Sequence, residues 1–329
     1  MRKRRFWLFL VMMVLLTCLL SGCSGQEKKE EKQEDALLLG FSQLGSESGW
    51  RVGNTKSVQE AAEAAGVRLM FENANQSQEK QITALRSFIA YRVDVIAFSP
   101  IVEEGWDNVL REARDAGIPV IIADRRIRTD DETLYASHIG SDFYSEGVKA
   151  GEYLLQKLST LPPETTLNVV ELTGTQDSSP MLLRSAGFRD TVEKEPRIRL
   201  LDSVSGDFMI SKGKERTRLL LEKYGADFDV LFSHNDAMMY GALEAIEEYG
   251  MAPGKDVILI SVDGEQKAID LLKEGKVNCV VECTPMLGEP IMRAARELKE
   301  GKAVEREIYS QERAFTEFDD LSNLAPRGY

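Results

Sequence analysis

The chain has 329 residues, with 43% apolar side chains, 29% charged ones, 25 Gly and 10 Pro. That is ample material for more than one packed core and excludes disorder as the main state. Its 41 Lys and Arg against 54 Asp and Glu leave a formal charge of −13, so a broad basic face for phosphate backbones is missing and nucleic acid is excluded as a partner.

The chain opens with a charged head, Arg2 to Arg5, followed by a mostly apolar run from Phe6 to Leu20. Fifteen residues are too few to cross a bilayer comfortably, so the run reads as a secretory signal. It ends in Leu20-Ser21-Gly22-Cys23, which resembles a bacterial lipobox, where small residues admit the peptidase and the next thiol takes a diacylglyceryl group. Residues 1–22 are therefore expected to be a lipoprotein signal peptide and Cys23 the lipidation site. Their removal deletes four basic residues and no acidic one, taking the charge from −13 to −17. Residues 23–35 continue as a polar tether with nothing to pack. The expected location is extracytoplasmic, lipid-anchored to the outer face of the cell membrane.

From Leu37 onward, strand-like runs alternate with helix-length segments. The first strands are expected at Leu37 to Phe41, Val67 to Phe71, Val93 to Phe98 and Pro119 to Ala123, with helices at Thr55 to Ala65, Glu79 to Ala90 and Glu104 to Ala116 between them. A second series follows Tyr135 to Gly140, with strands at Leu167 to Leu172, Leu200 to Val204, Asp229 to Phe232, Val257 to Val262 and Val277 to Glu282. The pattern predicts an α/β fold of two Rossmann-like lobes, each a parallel sheet flanked by helices. No long Pro, Gly or Ser linker separates the series, so three short crossovers near Ser141, Thr284 and Ser310 form the expected hinge. The first lobe would comprise residues 36–140 plus 285–309, and the second residues 141–284 plus 310–329.

Cys18 lies in the signal, leaving Cys279 and Cys283 in the folded part. Four residues along a strand separate them by roughly 13 Å, beyond disulfide reach, so two thiols are expected. With only His138 and His234 and no Cys-x-x-Cys pair, neither a metal nor a cofactor is expected.

In open parallel sheets ligands bind beyond the carboxyl ends of the strands. There the sequence places Ser42 to Arg51, Asp124-Arg125, Thr173 to Arg184, Ser233 to Asp236 and Asp263-Gly264. Trp50 offers a ring for the C–H face of a sugar, while carboxylates accept from hydroxyls and guanidiniums donate in planar forks. The set is balanced in sign and suits a neutral polyol. Asp236 is expected to cap the following helix, which makes Asn235 the ligand contact. His234 reads as packed. Catalytic arrangements fare poorly: the Gly45 to Gly49 turn centres on Glu47 instead of a serine nucleophile, and no phosphate-cradling loop is present. The nearby arginines are expected to keep Glu47, Asp124 and Asp263 ionised, leaving no general acid for glycoside cleavage.

These residues resemble the type I periplasmic (ribose/galactose-binding) family, and within it the galactofuranose-binding proteins of bacterial ABC importers. GFSQLGSESGWR (Gly40 to Arg51), IPVIIADR (Ile118 to Arg125), SGDF with SKGKE (Ser205 to Glu215), SHNDAM (Ser233 to Met238), SVDG (Ser261 to Gly264) and ECTP (Glu282 to Pro285) carry the resemblance. It implies a sugar, galactofuranose or a related furanose or pentose, captured by closure of two lobes and delivered to a membrane permease with a separate ATPase. It further implies that Glu47, Ser48, Gly49, Trp50 and Arg51 hold the sugar as one loop with Asp124 and Arg125, while Arg184, Asn235 and Asp263 reach it from the second lobe. The segment Gln176 to Leu183 departs from the family pattern before Arg184. An alternative of a different class is a sugar sensor presented to a histidine kinase or chemoreceptor, without import.

Overall fold

The computed structural model describes residues 36–329; the signal segment, Cys23 and the tether lie outside the described residues. The first series runs β1 (Leu38–Gln43), α1 (Gly49–Ala65), β2 (Arg68–Asn73), α2 (Gln78–Tyr91), β3 (Val95–Phe98), α3 (Asp107–Asp115), β4 (Val120–Ala123) and β5 (Ser137–Gly140). The second runs α4 (Phe143–Ser159), β6 (Leu167–Thr173), α5 (Ser179–Val192), β7 (Ile198–Ser205), α6 (Ile210–Tyr224), β8 (Val230–Ser233), α7 (Asp236–Tyr249), β9 (Ile258–Asp263), α8 (Gln266–Lys273) and β10 (Cys279–Glu282). After it come α9 (Gly288–Lys299), β11 (Glu307–Tyr309) and β12 (Ala314–Thr316).

Two six-stranded sheets result, ordered β11-β5-β4-β3-β1-β2 and β12-β10-β9-β8-β6-β7. The first is parallel throughout; in the second only β12 runs antiparallel, against β10. The chain passes between the sheets three times, after β5, after β10 and after β11, as the two-lobed α/β expectation requires. Strands β11 and β12 were not expected: at three residues each they are too short to show a pattern.

Central strands such as β3 (VIAF) and β4 (VIIA) are buried at every position, because helices cover both faces of the sheet. In the first lobe Leu85, Phe88, Phe98, Trp106 and Ile122 pack one core; two clusters, one containing Leu231, Ile246 and Leu259 and the other Phe188, Phe232 and Ile260, fill the second lobe. Each sheet reverses its winding where its first and third strands are neighbours, β1 beside β3 and β6 beside β8. Such switch points open a crevice at the carboxyl ends of the strands.

Helix α1 begins six residues before the expected start. Ser48 is its N-cap, with extended backbone and a side-chain oxygen accepting from the Arg51 N–H at 3.2 Å. The Gly-Trp-Arg segment is thus the first turn of a helix and not part of a loop, as the cap overrides the weak local helix preference of Gly49.

Candidate functional site

The side chains that follow the strands converge on a small cavity lined by Glu47, Ser48, Trp50, Arg51, Asp124, Arg125, Arg184, Asn235 and Asp263, together with Pro180 from the expected Thr173 to Arg184 segment and three residues not anticipated, Phe143, Phe208 and Cys283. Gly49 does not line it and faces Glu265 instead.

On the first lobe the cavity wall is a buried ion network. Arg51, 3% exposed, donates to Glu47 Oε1 at 3.1 Å, reaches Asp124 Oδ2 at 2.7 Å, and touches Ser99 Oγ and Gln43 Oε1 at 3.3 Å each. The Ser99 hydroxyl donates to Asp124 at 2.9 Å. Burial by itself raises an acid's pKa, yet Arg51 and Arg125 outweigh it and hold the Asp124 carboxyl below its ordinary range. Arg125 follows with Nη1 on the Ile101 carbonyl at 2.9 Å and Glu47 3.9 Å away; burial, then repulsion from Arg51, pulls it down to about 10.

Asp124 has φ of 61°, rare for a residue with a side chain. Its neighbours enforce this: its N–H donates to the Ile139 carbonyl at 2.8 Å, its own carbonyl lies 2.9 Å from His138 Nε2, and Gly140 leaves it room, since a methyl group there would come within 2.7 Å of the Asp124 oxygen. Strain of this kind persists only where the surroundings over-determine it.

The second lobe supplies the opposite wall. Arg184 on α5 donates to Glu146 Oε2 on α4 at 2.6 Å and to the His234 carbonyl. The two helices approach closely enough because Gly147 lies against the Arg184 carbonyl and Gly187 against that of Tyr144; a methyl group at either would come within about 2.2 Å of backbone oxygen. The Arg184 pKa is raised: burial opposes, but Glu146 outweighs it. Asp263 ends β9 with φ of 124°. Burial and then Asp236 push its carboxyl well above the usual range, because Arg184 is engaged by Glu146 and Glu265 adds repulsion. The expectation that arginines keep every site carboxylate ionised is supported at Asp124, whereas at Asp263 burial and the neighbouring carboxylates act against ionisation.

Asn235, not Asp236, is the N-cap of α7, its Oδ1 accepting from the Met238 N–H at 3.0 Å. The extended backbone of Asn235 leaves its amide edge in the cavity, whereas the buried Asp236 carboxylate accepts from Ser261 Oγ at 2.5 Å and from the N–H groups of Gly264 and Glu265 at 2.9 and 2.8 Å. Asp236 thus ties the turn after β9 to α7. His234 is packed, as expected, with Nε2 2.9 Å from Glu171.

Two rings flank the charges. Trp50 donates from Nε1 to the Cys283 carbonyl at 2.6 Å, so this first-lobe residue is pinned to the end of β10. Phe208 sits in a loop where Asp207 and Phe208 both have positive φ, and the Arg125 guanidinium lies 5.1 Å from its ring centroid. Cys279 and Cys283 are free, buried thiols. Among the described residues, several buried polar atoms have no hydrogen-bond partner in the protein; two of these, Arg125 Nε and Asp263 Oδ2, belong to cavity residues on opposite lobes.

The periplasmic binding protein domain profile matches residues 39–303, and the chain belongs to that family of extracytoplasmic solute-binding proteins, which are not enzymes. It is 40% identical over 265 residues to the galactofuranose-binding protein YtfQ of Escherichia coli (strain K12), covering 80% of this chain and 82% of that one. A solved structure from Mycobacterium smegmatis in complex with β-D-fucofuranose is 43% identical with a TM-score of 0.83, covering 86% and 92% of the two chains. The binding protein of the arabinose ABC transporter of Shewanella sp. ANA-3, bound to α- and β-L-arabinofuranose, is 39% identical with a TM-score of 0.81, covering 85% and 92%.

Proposed function

We propose that the chain captures a sugar in its furanose form, galactofuranose or a close relative, between the two lobes and delivers it to an ABC permease driven by a separate ATPase. The observation that carries this reading is the cavity's chemistry: three guanidiniums and three carboxylates lie among three aromatic rings. A charged ligand would unbalance that network, whereas hydroxyls that donate and accept satisfy the free Arg125 Nε and Asp263 Oδ2 together.

The contacts assigned to the sugar are those of Glu47, Ser48, Trp50, Arg51, Asp124 and Arg125 from the first lobe and Arg184, Asn235, Asp263 and Phe208 from the second. Lobe limits of 36–140 with 285–309, and 141–284 with 310–329, are supported by the membership of the two sheets. A diacylglyceryl group on Cys23 would hold the protein at the membrane beside its permease.

Uptake tests the reading. Cells lacking the chain should lose accumulation of labelled galactofuranose and regain it with the wild-type gene but not with Trp50→Ala. Uptake unaffected by loss of the chain would refute import. The intact mass of the mature protein tests the anchor, which requires a lipid-modified N-terminus at Cys23.

A further inference from the structure

Glu265 precedes α8 on the second lobe, yet its side chain lies against the first turn of α1 on the first lobe. The second lobe mounts it firmly. Its Oε2 accepts from the Tyr240 hydroxyl at 2.9 Å, and its backbone N–H is one of the three donors held by the buried Asp236 carboxylate. Lys267 balances the local charge, its ammonium lying 4.2 Å from the Tyr240 ring centroid.

The other oxygen, Oε1, has no hydrogen-bond partner. It lies against Gly49, where a methyl group on that residue would stand 2.6 Å from it. The helix start leaves its first backbone N–H groups, that of Trp50 among them, without an intrahelical partner at this end of α1. A negative group at this end of a 17-residue helix is also favoured by the helix dipole. Glu265 is 9% exposed, so the interaction is only weakly screened. Ser48 caps the Arg51 N–H from within the first lobe, while the Glu265 carboxylate approaches the same helix end from across the cleft.

We propose that Glu265 is a cleft-spanning positioning residue: it bridges the second lobe to the N-terminus of α1, a contact made only when the lobes are together, and thereby holds Trp50 in place and slows ligand escape. The proposal rests on the sugar-binding reading for its effect on ligand, but not for the contact itself. It gives Gly49, which lies outside the cavity, a physical reason to be glycine: its missing side chain leaves the space the carboxylate occupies.

Stopped-flow tryptophan fluorescence with galactofuranose tests this on the purified protein. Glu265→Ala should raise the dissociation rate roughly tenfold, the scale of one charged contact at a helix N-terminus, with little change in association. Glu265→Gln keeps an oxygen for the Trp50 N–H and should restore most of the loss. Gly49→Ala should weaken binding in the wild-type background and cost nothing once Glu265→Ala has cleared the space. If Glu265→Ala folds poorly, Glu265→Asp, one methylene shorter, replaces it and should likewise relieve the cost of Gly49→Ala. An unchanged dissociation rate, or an equal cost of Gly49→Ala in both backgrounds, would overturn the proposal.

Failure of the wild type to bind any furanose would count against the proposed function separately. The bridge is then read from distances between spin labels at the exposed positions Tyr91 on α2 and Tyr249 on α7 in the ligand-free protein. Gly49→Ala should shift the population toward open lobes with Glu265 present and not with Glu265→Asp; identical distributions would overturn the bridge.

Discussion

Replacing Asp124 by Asn changes one charge and almost nothing else. Asparagine tolerates the left-handed backbone at φ of 61°, and its amide oxygen still accepts from Ser99 Oγ. What disappears is the partner of Arg51 at 2.7 Å, leaving Arg51 at 3.1 Å and Arg125 at 3.9 Å to share Glu47 alone. Both guanidiniums are at most 3% exposed, so water cannot compensate. Removing one partner of a buried pair costs about 3–5 kcal/mol. For a chain of this size each kcal/mol moves the melting temperature by about 2–4 °C, so a drop of roughly 6–20 °C is expected by calorimetry at pH 7. Because Asp124 has a depressed pKa, its contribution is complete above its unfolded value of about 4 and is lost as pH falls through the lower folded value. The gap between wild type and variant should therefore hold steady above about pH 5 and close in stronger acid. It should also survive high salt, since the pair is buried. A variant melting within about 2 °C of wild type, or a gap erased by salt, would refute this account of the site's electrostatics.

Glu312 lies on the third crossover and accepts from Ser141 Oγ on the first at 2.7 Å and from the Thr284 N–H on the second at 2.8 Å. Burial and the nearby Glu146 raise its pKa to about 9, so it is neutral at pH 7 and costs stability increasingly as pH rises from about 4.5. Glu312→Gln should remove that slope, with a melting temperature that gains on wild type between pH 5 and 9; parallel curves would show the group to be ionised. Gly187→Ala forces a methyl group to about 2.1 Å from the Tyr144 carbonyl and should both destabilise the second lobe by about 1–3 kcal/mol in urea titrations and weaken sugar binding by displacing Arg184; wild-type values in both assays would contradict the packing argument. Both thiols are buried, and burial raises each pKa, so neither Cys279 nor Cys283 should react with a thiol reagent until denaturant is added.

Strand positions were legible because the central strands are uninterrupted apolar runs, and most of the cavity followed from reading what comes after each one. The same rule applied to β7 and β10 reaches Gly206-Asp207-Phe208 and Cys283, which were passed over. β7 is an edge strand with a partly exposed pattern, and Cys283 was weighed only for a disulfide, a metal or packing. Helix caps were harder. Ser48 and Asn235 each precede a residue that competes for the same role, and which of Asn235 and Asp236 caps α7 depends on the distant partners Ser261, Gly264 and Glu265. Glu146 gave no signal at all, since it becomes part of the site only through the close passage of α4 and α5 that Gly147 and Gly187 permit. The upward push on the Asp263 carboxyl was missed for a similar reason: counting arginines in the sequence does not reveal that Glu146 already holds Arg184.

The most direct test of the central claim is calorimetric titration of the purified protein with two ring-locked sugars, methyl galactofuranoside and methyl galactopyranoside, with Trp50→Ala as control. Binding of the furanoside alone, with one site per chain and loss in Trp50→Ala, is the predicted result. Equal binding of both rings, or furanoside binding that survives the loss of Trp50, would contradict the account.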